Sequence, residues 1–176
     1  MAAYFESITD EQALLIEQSR LFFVATSAPP DTPQNERVGP INMSPKGGVP
    51  LHILDRNHVA FLDYMGSGNE TATHLKAGSP ITLMVCSFDE NAAIVRLYGR
   101  GTVTAIAESP IGEQLLSRDS QSSGLPPRQV IDIFVEKTAT SCGYAVPVME
   151  FVRDRQSGDR GKQYKTYPKK IASNNS

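Results

Sequence analysis

A chain of 176 residues has the length of one ordinary domain and can bury a core of its own. Its 40% apolar and 20% charged residues exclude a disordered polymer, and 17 basic against 19 acidic side chains, a formal net charge of −2, exclude whole-molecule attraction to nucleic acid or to an anionic membrane surface. No apolar run approaches the roughly 20 residues of a membrane-spanning helix, so a phosphate-bearing ligand has to be held by a local site.

The first predicted element is a helix: Thr9 followed by Gln12 is a capping-box pattern, and Ala13, Leu14 and Ile16 give it an apolar face up to about Gln18. Leu21-Phe-Phe-Val-Ala-Thr-Ser27 is rich in β-formers and too short for a buried helix, so it reads as a central strand. Residues 28–35 hold three prolines and read as a loop. Strands are expected at Val38–Met43, Leu51–Leu54 and Val59–Tyr64, with turns at Pro45–Gly48 and Asp55–Asn57. Asn69–Lys76 reads as a helix stopped by Gly78. Strands follow at Ile81–Phe88 and Ile94–Ala105, the second with bulges expected at Gly99 and Gly101. A helical turn at Ile111–Leu116, a loop at Ser120–Pro127 and a last strand at Val130–Val135 complete the pattern, and the tail beyond Val152 is polar. Six or seven strands without βαβ alternation point to an antiparallel barrel or sandwich rather than a doubly wound fold. With only Cys86 and Cys142, and an N-terminus lacking the basic start and apolar stretch of a secretory leader, a cytoplasmic protein is expected.

Three segments carry chemistry. Ile41-Asn-Met-Ser-Pro-Lys-Gly-Gly48 sets a hydroxyl, an amide and an ammonium beside a glycine pair, where Ser44 and Lys46 can grip a phosphate; the competing reading is a polar hairpin turn. Phe61-Leu-Asp-Tyr-Met-Gly-Ser-Gly-Asn-Glu-Thr-Ala-Thr-His-Leu75 runs from strand through a Gly-Ser-Gly turn into a helix start, with Ser67, Asn69 and Thr71 as donors; the competing reading is an ordinary N-cap. If the strands ending at Asn42 and Tyr64 are neighbours, both segments converge on one phosphate, and Asp63 and Tyr64 lie along the attached chain or ring. In Thr140-Ser-Cys-Gly-Tyr-Ala-Val-Pro147 the tyrosine could stack on an aromatic ligand, while Cys142 has no evident base and reads better as packing. His52, His58 and His74 have no metal-ligand spacing, so no metal site is expected, and only His74 falls near the second segment. No nucleophile elbow or carboxylate pair is present, which leaves the catalytic residues unassigned and suits either a cofactor-dependent reaction or a non-enzyme.

In these stretches, together with Arg96-Leu-Tyr-Gly-Arg-Gly101, the chain resembles the pyridoxamine 5'-phosphate oxidase-like family of FMN-binding split barrels, above all its uncharacterised bacterial and fungal members. The resemblance covers roughly residues 5–152. It implies a mainly β fold, a six-stranded antiparallel split β-barrel, working as a homodimer with FMN at the subunit interface. By position, Ser44, Lys46, Ser67, Asn69 and Thr71 would hold the FMN phosphate and Asp63 and Tyr64 would line the flavin, with Arg96 and Tyr144 as candidates to reach it from the partner chain. Residues 1–152 would form the flavin-binding domain and 153–176 a polar C-terminal extension of it.

The departures from the family pattern are specific. Val38-Gly-Pro-Ile-Asn-Met43 stands where true pyridoxamine phosphate oxidases carry Arg-x-Val-Leu-Leu-Lys, and Ser67-Gly-Asn-Glu-Thr71 where they carry Ser-Arg-Lys. A chain without tryptophan also lacks their Trp-Arg-Leu-x-Pro motif. The expectation is therefore an FMN-dependent oxidoreductase acting on a small molecule other than pyridoxamine phosphate. The alternatives are a non-catalytic binder of FMN, F420 or haem, and a purely structural dimer.

Overall fold

The computed structural model describes residues 2–30, 39–66, 68–118 and 125–155. The expected strand start at Val38, the donor Ser67, most of the loop at Ser120–Pro127 and the tail beyond Arg155 lie outside them.

The described chain forms β1 (Ala3–Phe5), α1 (Asp10–Gln18), β2 (Leu21–Ser27), β3 (Ile41–Gly47), β4 (His52–Asp55), β5 (His58–Tyr64), α2 (Glu70–Lys76), β6 (Pro80–Cys86), β7 (Ala93–Ala105), a 3₁₀ turn (Ile106–Glu108), α3 (Gly112–Ser117) and β8 (Pro127–Cys142). All pairings are antiparallel, in the order β3-β2-β6-β7-β8-β5-β4, with β1 added beside β8. The mainly β fold with short helices is as expected. The strand count is not six: eight strands make one open sheet whose end strands β3 and β4 do not pair.

Local chemistry explains most of the elements. Thr9 caps α1 and the Gln12 side chain returns the bond to the Thr9 N–H, a complete capping box. Gly78, at φ +86°, ends the α2 segment in the left-handed region that only glycine enters freely. The register of β7 on β8 shifts between Tyr98 and Gly99, with Glu136 of β8 as the extra residue, and a Cβ added to Gly99 would run into the Phe134 carbonyl oxygen; an irregularity stands at Gly99 as expected, whereas Gly101 pairs with Ile133 without a shift. Pro45, expected in a turn, lies inside β3 opposite Phe23. The strand tolerates it because β3 is an edge, bonded only to β2.

Two strands depart from the sequence pattern. β8 runs 16 residues rather than six, because its second half, Glu136–Cys142, is polar and threonine-rich yet pairs with β7 and β1. β1 is only three residues long and exposed, and gains its structure from β8 alone.

The sheet is rolled. Phe22 on β2 and Phe61 on β5 are four places apart in strand order, about 19 Å in a flat sheet, yet their ring centroids are 5.2 Å apart, edge to face. Inside the roll, Phe22, Val24, Val59, Phe61, Leu83, Leu97, Ile131 and Ile133 form the main core. A smaller cluster of Ala60, Leu62, Leu115 and Val130 buries the opposite face of β5 and β8 beneath α3.

The two cysteines report on this packing. Cys86 is buried, which pushes its thiol up, whereas Cys142 is exposed at the end of β8. Iodoacetamide should alkylate Cys142 in the native protein and reach Cys86 only in urea, as read by mass spectrometry. Gly99→Ala should lower stability by about 1–3 kcal/mol in a urea melt, since the bulge must move to admit the methyl group.

Candidate functional site

β3 alternates strictly between exposed and half-buried residues, so Asn42, Ser44 and Lys46 share its inner face. They stand directly beside Thr26, Val24 and Phe22 of β2. Because the sheet is rolled, this row faces the end of β5. There Asp63, only 6% exposed, accepts from Lys46 Nζ at 3.3 Å. The strands carrying Ser44 and Asp63 are thus brought together across the roll, as the two sequence segments require.

A second cation enters from β8. Asp63 pairs with Gln129 but Tyr64 with Pro127, so Arg128 is the extra residue of a bulge, and its side chain turns toward β5. Arg128 Nε donates to Asp63 Oδ2 at 2.7 Å and Nη2 donates to the Gly68 carbonyl at 2.8 Å. Gln129 Nε2 donates to the same Asp63 oxygen at 2.7 Å and to Asn69 Oδ1 at 2.9 Å. Between these groups lies a cleft of about 300 Å³.

Of the nine candidate residues, Ser44, Lys46, Asp63, Tyr64, Asn69 and Thr71 line this cleft. Ser67 is outside the described residues. Arg96 donates to Ser141 Oγ at 2.9 Å across β7 and β8, and Tyr144 is 90% exposed; neither lines the cleft of its own chain. Arg128, Gln129 and Glu70 were not among the candidates. A polar Arg-Gln pair just ahead of an apolar strand run was the available signal, but spacing alone does not show that it faces Asp63.

The helix start behaves differently from either sequence reading. Asn69 is the N-cap residue of α2, but its side chain makes no capping bond and turns to Gln129 instead. α2 has seven residues, too few for its dipole to hold an anion alone. The positive charge in the cleft comes from Lys46 and Arg128.

Behind the cleft runs a buried polar chain. His74 is fully buried; its Nε2 donates to the Gly39 carbonyl at 3.0 Å, so in the neutral ring Nδ1 accepts from Thr26 Oγ1, also at 3.0 Å. Asn42 Nδ2 donates to Thr26 Oγ1 at 3.3 Å and to Thr71 Oγ1 at 2.9 Å. Asn42 is thereby held between β2 and α2. His58 instead pairs with Asp132, at the opposite end of β5 from Asp63.

One group is left over. Ser44 Oγ is buried and has no hydrogen-bond partner among the described residues, though Ser44 lies between Asn42 and Lys46 on the cleft wall. A buried hydroxyl without a partner costs about 1–3 kcal/mol, a cost that a hydrogen bond to an incoming polar atom would remove.

The model of the family described as pyridoxamine 5'-phosphate oxidase matches residues 8–142, all of this sheet from α1 to the end of β8. The chain belongs to the pyridoxamine 5'-phosphate oxidase family. A curated member, the pyridoxamine 5'-phosphate oxidase family protein ustO of Aspergillus flavus, is 33% identical over 161 residues; the match covers 90% of this chain and 61% of the length of ustO. Among solved structures, HupZ of Group A Streptococcus superposes with a TM-score of 0.57 at 21% identity, covering 74% of this chain and 91% of HupZ. An FMN-binding protein of Syntrophomonas wolfei gives a TM-score of 0.54 at 11% identity, covering 80% of this chain and 84% of that one. These two likenesses establish the family fold, a split barrel.

Asp63 holds two cations at once, so its loss should be felt as stability. Asp63→Ala should destabilise the protein by about 1–3 kcal/mol, less than a fully buried pair because Lys46 and Arg128 remain 22% and 20% exposed. Lys46→Ala should cost less, since Asp63 keeps Arg128 and Gln129; urea melts of both variants check the order.

Proposed function

We propose that the cleft binds FMN through its phosphate and that the protein is a flavin-dependent oxidoreductase acting on a small molecule. The observation that carries this reading is the unpartnered, buried Ser44 hydroxyl between Asn42 and Lys46, with Arg128 converging from the opposite wall. Two cations and a hydroxyl are the donor set a phosphate ester requires, and both cations keep N–H groups to spare after bonding Asp63. Ser44, Lys46 and Arg128 would hold the phosphate. Asn69 and Tyr64, which also line the cleft, would meet the attached polyol chain. Family membership and the FMN-binding relative of the same fold support a flavin in particular.

Bound there, a flavin would supply two-electron transfer between a reduced donor and an acceptor. The chain's own part is to anchor the phosphate, fix the orientation of the attached ring and keep the anchoring charges in a partly dry site. Pyridoxamine phosphate itself is not the substrate proposed, because Val38-Gly-Pro-Ile-Asn-Met43 and Ser67-Gly-Asn-Glu-Thr71 depart from the stretches that mark true oxidases.

A cleft of about 300 Å³ is at the lower limit of ligand pockets, enough for a phosphate and its chain, so the rest of a flavin would have to be covered from outside. We assign that cover to a second copy. Ile41 and Met43, 76% and 65% exposed, stand on the outer face of the very strand that carries Asn42, Ser44 and Lys46, and Met65 directly follows Tyr64. Exposed apolar side chains at the two strands that carry the site are what a dimer would bury.

FMN titration followed by fluorescence quenching tests the reading. Saturable binding should weaken at least tenfold in Lys46→Ala and again in Arg128→Ala, while Arg96→Ala serves as a control outside the cleft. A protein that neither quenches FMN nor gains thermal stability from it would end the flavin reading; binding without turnover by any reductant would reduce the protein to a cofactor carrier. Light scattering should show a dimer that Met43→Asp shifts toward monomer.

A further inference from the structure

The charges around the cleft are unevenly employed. Asp63 is fully occupied: one oxygen takes Lys46, the other takes Arg128 and Gln129. Lys46, Asp63 and Arg128 together carry a net charge of +1. Glu70 also lines the cleft, at the first position of α2. Its carboxylate folds back over the backbone of Gly68, so closely that a Cβ on Gly68 would run into it, and among the described residues it has neither a hydrogen-bond partner nor a salt bridge. The neighbouring Gly68 carbonyl is the acceptor of Arg128 Nη2, which places the carboxylate on the rim beside the guanidinium without pairing to it.

We propose that Glu70 is a specificity-determining residue: its unpaired carboxylate lowers the cleft's net charge to zero and so penalises a doubly charged phosphate more than a singly charged or neutral ligand. The inference rests on the reading of this cleft as a phosphate site. Lys46 and Arg128 supply directed donors, and Glu70 limits how much negative charge those donors can accept. An unpaired carboxylate at the edge of a partly solvated cleft acts on a bound anion through an effective dielectric nearer 20 than 80, so its removal should be worth on the order of tenfold in affinity for a dianion. A glutamate serving only the start of α2 would affect the melting temperature and leave ligand discrimination alone.

The test compares the wild type with Glu70→Gln and Glu70→Asp, using FMN, riboflavin and inorganic sulfate, the last a dianion that probes the site without a flavin. In 20 mM salt, Glu70→Gln should bind FMN and sulfate about tenfold more tightly, leave riboflavin unchanged and lose most of the gain in 0.5 M sodium chloride. Glu70→Asp, which keeps the charge, should behave as the wild type. Equal affinities in wild type and Glu70→Gln for both anions would overturn the assignment, and so would a parallel change in FMN and riboflavin, which would place Glu70 against the polyol. If no variant binds a flavin but Glu70→Gln still binds sulfate more tightly, the flavin reading fails and the role of Glu70 stands.

Discussion

The site depends on one carboxylate. Asp63 sits at the end of β5, nearly out of solvent, and draws together an ammonium from β3 and a guanidinium and an amide from β8. Burying a carboxylate is costly unless it is paired and hydrogen-bonded, and here three donors meet that requirement. The same three donors are held apart by sequence: residue 46 is followed by 16 others before Asp63, and Arg128 lies 65 positions further on. Strand pairing of β5 with β8 brings Arg128 and Gln129 to Asp63, and only the rolled sheet brings Lys46 there as well. The Phe22 and Phe61 rings beneath, 5.2 Å apart, fix the spacing of the two walls, and Lys46 Nζ lies 6.0 Å from the centre of the Phe61 ring. Apolar packing sets the distance and the carboxylate sets the orientation of the charges.

Much of this was legible in the sequence, for local reasons. Thr9 and Gln12 announce α1 because a capping box is made within four residues, and Leu21–Ser27 announces β2 because β-branched and aromatic residues dominate it. Ser44, Lys46, Asp63, Tyr64, Asn69 and Thr71 were legible because each lies in a segment whose residue types suit phosphate binding. What could not be read was set by pairing at long range. β1 is too short to show a pattern and is held by Thr138–Thr140, while the polar second half of β8 is a strand because it pairs with β7 on one side and β1 on the other. Arg128 was invisible for the same reason: a bulge in the β5–β8 register, not a motif, turns it into the cleft.

Family membership and site chemistry speak to different questions. The shared sheet, from α1 to the end of β8, explains why the chain folds as it does and why a cleft forms at that position. In this cleft the two cations come from different strands, Lys46 from β3 and Arg128 from β8.

The connectivity of β8 also constrains how the molecule comes into being. This strand is the common partner of β1, β5 and β7, and its pairing with β1 joins residues near position 4 to residues near position 139. Contacts so distant along the chain make for slow closure, because the entropy of a long loop must be lost before the pairing rewards it. On the ribosome, β5 and β7 must wait with an unsatisfied edge until residues 127–142 emerge. The cleft is therefore completed late, by the arrival of Arg128 and Gln129, and a nascent chain halted before β8 would carry half of its site and a sticky sheet edge that invites misassembly.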